Sequence, residues 1–263
     1  MITLLFSLFF LSGYSCDFSP EIKFVYSLSG PVSLAFKALD LHQAPKLKGV
    51  SVFHPFDRST FKGTLLPGGV FLSPQSLQAL SGGLVFYDES RELTKILSKT
   101  KEIKSVEIRT RHMSPSEVMT YIQKKIAPFL SHCDVKKLST RLDLKLTSLK
   151  TKIKKRPTII FFLGAIHGQK LPQMVMVQDG VVKWMNEEGL IKTYPSPLAY
   201  VNWSSKILRE LPKDTLKVGI IDSGHSMEQK IEKLEDGVNL TFPGSLIPGE
   251  GQVDAMIYLF NNL

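Results

Sequence analysis

Cysteine is almost missing from this chain of 263 residues: Cys16 and Cys133 are its only two. Two cysteines with no neighbouring histidine pair exclude a structural zinc site and a disulfide-dense scaffold. No apolar run reaches the ~18 residues that a membrane-spanning helix needs. Phosphate-cradling glycine loops of the Walker and dinucleotide types are absent, and so is the Gly-x-Ser-x-Gly elbow of serine hydrolases. Acidic residues are also in deficit, 24 against 33 Lys and Arg, which leaves a formal charge of +9. A basic surface favours anionic partners of any kind. The cations are nevertheless scattered over Lys95–Lys104, Lys124–Lys155 and later positions, without interleaved aromatics, which argues against nucleic-acid binding.

What is present describes a globular protein. Hydrophobic residues make up 43% of the chain, enough for a sizeable core, and the length allows one large or two small domains. Residues 2–12, ITLLFSLFFLS, are an unbroken apolar run of signal-peptide length. Gly13 and Ser15 stand at −3 and −1 relative to Cys16. Residues 1–15 therefore read as a signal peptide, and the mature protein as exported, either periplasmic or lipid-anchored. Two fates are open to Cys16: lipidation, as in bacterial lipoproteins, or a disulfide with Cys133.

One stretch organises the rest. In Asp134–Lys155, DVKKLSTRLDLKLTSLKTKIKK, the residues Leu138, Leu142, Leu146, Leu149 and Ile153 recur at steps of four, four, three and four. This is one apolar stripe on a helix. Asp134 can cap its start, lysines crowd its end and Pro157 stops it. At ~1.5 Å per residue it is roughly 33 Å long. It reads as a strut between two lobes or, alternatively, as a long surface helix of one α/β domain.

Both flanks alternate strands with helices. Before the strut come strands at Lys23–Leu28, Leu47–Phe53, Gly83–Asp88 and Val106–Arg109, with a helix start at Ser114-Pro115-Ser116-Glu117. After it come strands at Pro157–Leu163, Met174–Val177, Lys217–Ile221 and Asn239–Phe242, and helices at Val181–Glu188, Trp203–Leu211, Met227–Leu234 and Gln252–Asn261. Alternation of this kind predicts two Rossmann-like lobes with parallel sheets. The domains are then 22–130 and 156–263, joined by 134–155. Ligands in such sheets sit beyond the carboxyl ends of strands, which puts Ser29-Gly30, His54–Arg58, Tyr87–Glu89 and Arg109–His112 along one edge.

The order of elements resembles the helical-backbone, class III periplasmic binding proteins of ABC transporters, the branch that binds cobalamin, ferric siderophores and haem. The segments that carry the resemblance are KFVYSLSGPVSLAFKALDLHQAPKLKGVS, GGVFLSPQSLQALSGGLVFYDES, DGVVKWMNEEG and NLTFPGSLIPGEGQVDAMIYLFNNL. It implies a monomeric receptor with no intrinsic cofactor, whose inter-lobe cleft holds a metal chelate, a ferric siderophore, haem or cobalamin, for import. Two departures matter. The positions that usually carry permease-docking carboxylates hold Gln75 and Ser204, with Glu89, Glu187 and Glu188 as substitutes. The first ligand position of the branch that binds zinc or manganese directly falls near Gly69-Val70, which offers no donor.

For a chelate, aromatics would stack on its flat surface and cations would meet its carboxylates. The candidates are His54, Phe56, Arg58, Tyr87, Arg109, His167, Trp184, Tyr194, Trp203 and His225. With haem, Tyr87 or a loop histidine would be the axial group. Each has a plainer reading. Phe56 can pack beneath its loop, Arg109 can sit in a solvated turn, and Trp184 and Trp203 can fill helix cores. Alternatives for function are direct zinc or manganese binding by loop histidines, a binding or signalling role without a permease, and an enzyme using Asp222-Ser223-Gly224-His225.

Overall fold

A computed structural model describes residues 16–263, except 55, 58, 67–72, 155, 167–173 and 236; at 74, 75, 205, 206, 208 and 225 it describes the backbone alone. The signal-peptide reading of residues 1–15 and the candidates Arg58 and His167 lie outside the described residues.

Two sheets form, one on each side of a long helix. The first is parallel, in the order β4-β3-β2-β5-β6, from β2 (Val25–Leu28), β3 (Leu47–Ser51), β4 (Thr64–Leu66), β5 (Leu84–Asp88) and β6 (Lys104–Ile108). Its crossovers include α1 (Gly30–Ala38), α2 (Pro74–Ala79) and α3 (Arg91–Leu97). Ser73 and Ser90 cap α2 and α3 by accepting from the N–H three residues on. Then α4 (Pro115–Ile126) opens with a complete capping box, Ser114 and Glu117 each bonding the other's backbone N–H. A short pair, β1 (Asp17–Phe18) with β7 (Leu130–Ser131), brings residues 17 and 18 against the end of this lobe.

The strut is α5 (Lys136–Lys152), and its buried residues are Leu138, Leu142, Leu146 and Leu149, the stripe read from the sequence. Asp134 lies outside the helix but still accepts from Lys136 N at 3.2 Å.

The second sheet runs β10-β9-β8-β11-β13-β12. Only β8 (Ile159–Leu163), β11 (Leu216–Asp222) and β13 (Gly237–Phe242) are parallel. The others, β9 (Met174–Met176), β10 (Tyr200–Asn202) and β12 (Lys230–Leu234), pair antiparallel at the edges. This corrects the all-parallel expectation for the second lobe, and it corrects Met227–Leu234 from helix to strand. Lys230, Glu232 and Lys233 alternate or neighbour outward positions around half-buried Ile231 and Leu234, an edge-strand pattern that charge keeps from further pairing. The remaining helices are α6 (Gly180–Glu187), α7 (Ser205–Glu210) and α8 (Glu250–Asn262).

The lobes are separate sheets but not separate cores. One buried cluster takes in Phe36, Phe86 and Ile122 from the first lobe, Leu142 and Leu146 from α5, and Phe161, Val182, Val253 and Leu259 from the second. Helices α1 and α4 touch α8 directly, and α4 touches α6. Two smaller clusters fill the outer faces of the two sheets. The chain is thus two α/β lobes fused along a helical seam.

Cys16 and Cys133 form a disulfide across 117 residues. This corrects the lipidation reading of Cys16, because a sulfur committed to a disulfide cannot carry a thioether-linked lipid.

Candidate functional site

Strand order fixes where the cleft lies. In the first sheet the order reverses between β2 and β5, and ligands of open α/β sheets bind beyond the strand ends at such a point. Ser29 follows β2 and Asp88 ends β5. Ser29 Oγ donates to Asp88 Oδ1 at 2.6 Å, and Gly30 N donates to Oδ2 at 3.2 Å. In the second sheet Asp222 ends β11. Its Oδ1 accepts from Gly224 N and Gly244 N, both at 2.9 Å, and its Oδ2 from Leu246 N at 3.3 Å. One carboxylate therefore gathers the loops after β11 and β13 into a wall.

Between these walls is a cavity of about 640 Å³. Its first-lobe side includes Leu28, Gly30, Ser51, Phe53, His54, Asp88 and Glu89, and its second-lobe side Asp222, Ser223, Gly224, Leu246, Ile247 and Pro248. The volume lies within the range of small-molecule sites, roughly 300–1,000 Å³.

Local chemistry places each contributor. After β3 a tight turn forms: His54 N donates to Ser51 O at 3.0 Å, and Phe53 N to Ser51 Oγ at 3.3 Å. The turn leaves Phe53 at its tip, 62% exposed, and folds His54 inward to 4%. His54 Nδ1 is 2.6 Å from Ser33 Oγ, which donates to Ser27 Oγ, which donates to Ser29 O. Because both serine protons are committed down this chain, Nδ1 is the donor to Ser33. The chain ends on the residue that holds Asp88, so His54 and Asp88 belong to one buried polar network.

Asp88 keeps solvent contact as a residue, yet its carboxyl is hemmed in by protein. Desolvation raises its pKa to about 6, against the opposing pull of the bonds from Ser29 and Gly30. Glu89 pairs with Arg111 at 3.7 Å. Among the described residues no lysine or arginine lines the cavity, whereas three carboxylates do.

Beside the cleft the lobes are tied by hydrogen bonds. Asp179 Oδ1 accepts from His112 N at 3.3 Å, its other oxygen accepts from the Tyr200 hydroxyl, and Lys183 Nζ donates to His112 O at 3.3 Å. Burial first, and the Asp179 bond second, push the Tyr200 phenol upward.

Of the residues singled out in the sequence, His54 lines the cavity and His225 follows its lining residue Gly224. The others lie elsewhere. Phe56 is 2% exposed against the Phe61 ring. Tyr87 is 3% exposed; it packs with Leu93 and Leu97, and its hydroxyl donates to Thr94 Oγ1 at 3.3 Å. Arg109 forms an ion pair with Glu107 at 2.6 Å. Trp184 is buried in the seam under Lys150. Tyr194 donates to Glu210 at 2.8 Å, and Trp203 stacks edge-on against Phe162. The structure thus corrects Phe56, Tyr87, Arg109, Trp184, Tyr194 and Trp203 away from the cleft. The segment Tyr87–Glu89 does reach the cavity as expected, through Asp88 and Glu89 rather than Tyr87; the residues missed outright are Phe53 and Leu246–Pro248. A signal for the carboxylates was present: GLVFYD and KVGIID are two apolar strands that each end in aspartate.

No protein-family model matches the chain, and no curated protein matches it in sequence. Solved structures match its fold over nearly the whole length. The periplasmic haem-binding protein HutB of Vibrio cholerae superposes with a TM-score of 0.67 at 16% identity, covering 90% of this chain and 97% of that one. A possible iron-binding, periplasmic solute-binding protein of Staphylococcus epidermidis gives 0.63 at 16%, covering 92% and 98%. The periplasmic vitamin B12-binding protein BtuF of Vibrio cholerae gives 0.60 at 12%, covering 92% and 99%. The chain therefore has the two-lobed α/β fold of these periplasmic binding proteins.

Proposed function

We propose that the protein is an exported solute receptor that captures a metal chelate in the cleft between its lobes and hands it to an ABC importer. The observation that carries this reading is the cavity itself. It lies at the switch point of the first sheet and is closed from the other side by loops after β11 and β13, in a fold whose solved relatives are named for binding haem, iron and vitamin B12. The seam of shared core supports capture with little lobe closure, since α1 and α4 would have to shear past α8 for the cleft to open wide.

Binding is favoured over catalysis by the state of Asp222-Ser223-Gly224. The carboxylate is spent on backbone N–H groups, and the Ser223 Oγ proton is spent on Glu228 O at 2.8 Å, so among the described residues no side chain takes that proton as a base. Direct binding of bare zinc or manganese is disfavoured because, among the described residues, no three His, Cys, Asp or Glu side chains converge on one point. Delivery to a permease rests on fold alone. Ser204 serves as the N-cap of α7, while Glu187 and Glu188 pair with Lys183 and Lys150.

Calorimetric titration of the purified mature chain with haemin, cobalamin and ferric siderophores tests the reading. Binding of one of them with a Kd near 1 μM or below is expected. No heat with any of them, together with tight binding of zinc, would transfer the protein to the metal-ion branch.

A further inference from the structure

The sign of the cleft is opposite to the sign of the molecule. The chain carries +9 overall, yet among the described residues the charged groups lining the cavity are Asp88 and Glu89 on one wall and Asp222 on the other. Among the described residues Arg111 pairs with this group; it reaches Glu89 at 3.7 Å from a position 76% exposed, where water and salt screen it. A ligand that brings two or more carboxylates into this space would meet like charge on both sides without a described lysine or arginine to receive it. Like charges facing each other in a partly desolvated site are a strong means of rejection.

We infer that the cleft selects a metal chelate of net positive charge, one that carries a protonated amine, over carboxylate-bearing or catecholate chelates; this rests on the receptor reading above. The amine would sit between Glu89 and Asp88, whose carboxylate has lone pairs left after accepting from Ser29 and Gly30. Phe53 and Leu246, 62% and 41% exposed on opposite walls, offer apolar surface to the methylene links of such a ligand.

Isothermal titration of the mature chain with four chelates decides the matter: a cationic linear ferric tris-hydroxamate, a neutral cyclic one, a trianionic ferric tris-catecholate and haemin. The cationic complex is expected to bind about tenfold tighter than the neutral one and about a hundredfold tighter than the anions, with an affinity that falls as salt is raised. Glu89→Gln should weaken the cationic complex several-fold and leave the neutral one nearly unchanged; circular dichroism of the variant confirms folding. Equal affinity for the cationic and neutral complexes, or tighter binding of either anion, overturns the charge inference and leaves the receptor reading standing. No binding by any of the four overturns the charge inference, and failure of cobalamin as well overturns the receptor reading.

Discussion

Arg141 Nε lies 2.6 Å from Glu250 Oε1, and the two residues belong to α5 and α8, the two helices that run along the seam. Lys145 reaches the same Glu250 oxygen and also Asp254, at 2.7 Å. Glu250 is only 5% exposed, at the first turn of α8, where the helix dipole favours an anion. Burial and the neighbouring Glu250 push the Asp254 carboxyl upward, while Lys145 opposes them. Replacing Lys145 by Met strips Glu250 of its less exposed partner and should cost about 2–4 kcal/mol in urea denaturation. Arg141, 53% exposed, should cost below about 1 kcal/mol on change to Ala. Equal effects of the two would contradict the assignment of the buried pair.

The cleft and the cores should separate cleanly by mutation. Phe53→Ala removes an exposed ring, so the melting temperature should hold within about 1 °C while chelate affinity drops about tenfold. Trp184→Ala empties a buried site in the seam and should lose about 3–5 kcal/mol of stability. A Phe53 variant that binds normally would remove the turn after β3 from the site.

Asp88 makes stability and acidity run in an unusual direction. A carboxyl whose folded pKa, about 6, exceeds its unfolded value near 3.9 is protonated first in the folded state. Its contribution is fully present below the unfolded value and is lost as pH rises through about 6. Asp88→Asn removes that loss. Relative to the parent, the variant should be more stable at pH 8 than at pH 4 by about 1 kcal/mol, a figure discounted for the residue's solvent contact. Thermal melts at the two pH values check it, and a constant difference would place the Asp88 pKa in the ordinary range.

Gly180 opens α6 at φ +50°, and a Cβ there would collide with the carboxamide of Gln252, which is 2% exposed and accepts from Val181 N at 3.2 Å. Gly180→Ala combines a left-handed backbone with displacement of a buried side chain. A loss of about 2–3 kcal/mol is expected in denaturant titration.

The strut was the most legible element because its period is long and its flanks are polar: five stripe positions over four turns leave little room for another reading. The two-lobe architecture followed from strands on both sides of it. What the sequence hid depends on contacts between distant segments. Phe53 and Phe56 are three residues apart in one loop, and only the turn closed by Ser51 decides that the first faces solvent and the second the core. Tyr87 and Asp88 are adjacent on β5 and so point to opposite faces. Choosing the aromatic over the acid chose the wrong face. The edge strand β12 carried a charge pattern that fits a helix equally well. Its antiparallel pairing with β13 settled the matter, and nothing local could have done so.

The Cys16–Cys133 bond has a consequence for handling the protein. It turns everything from Cys16 to Cys133, at the foot of α5, into a covalent ring that contains the whole first sheet. A protease that nicks any loop inside that ring would leave a molecule of undiminished mass on a non-reducing gel. Only thiol would release the fragments, so intactness judged without reductant would overlook such damage.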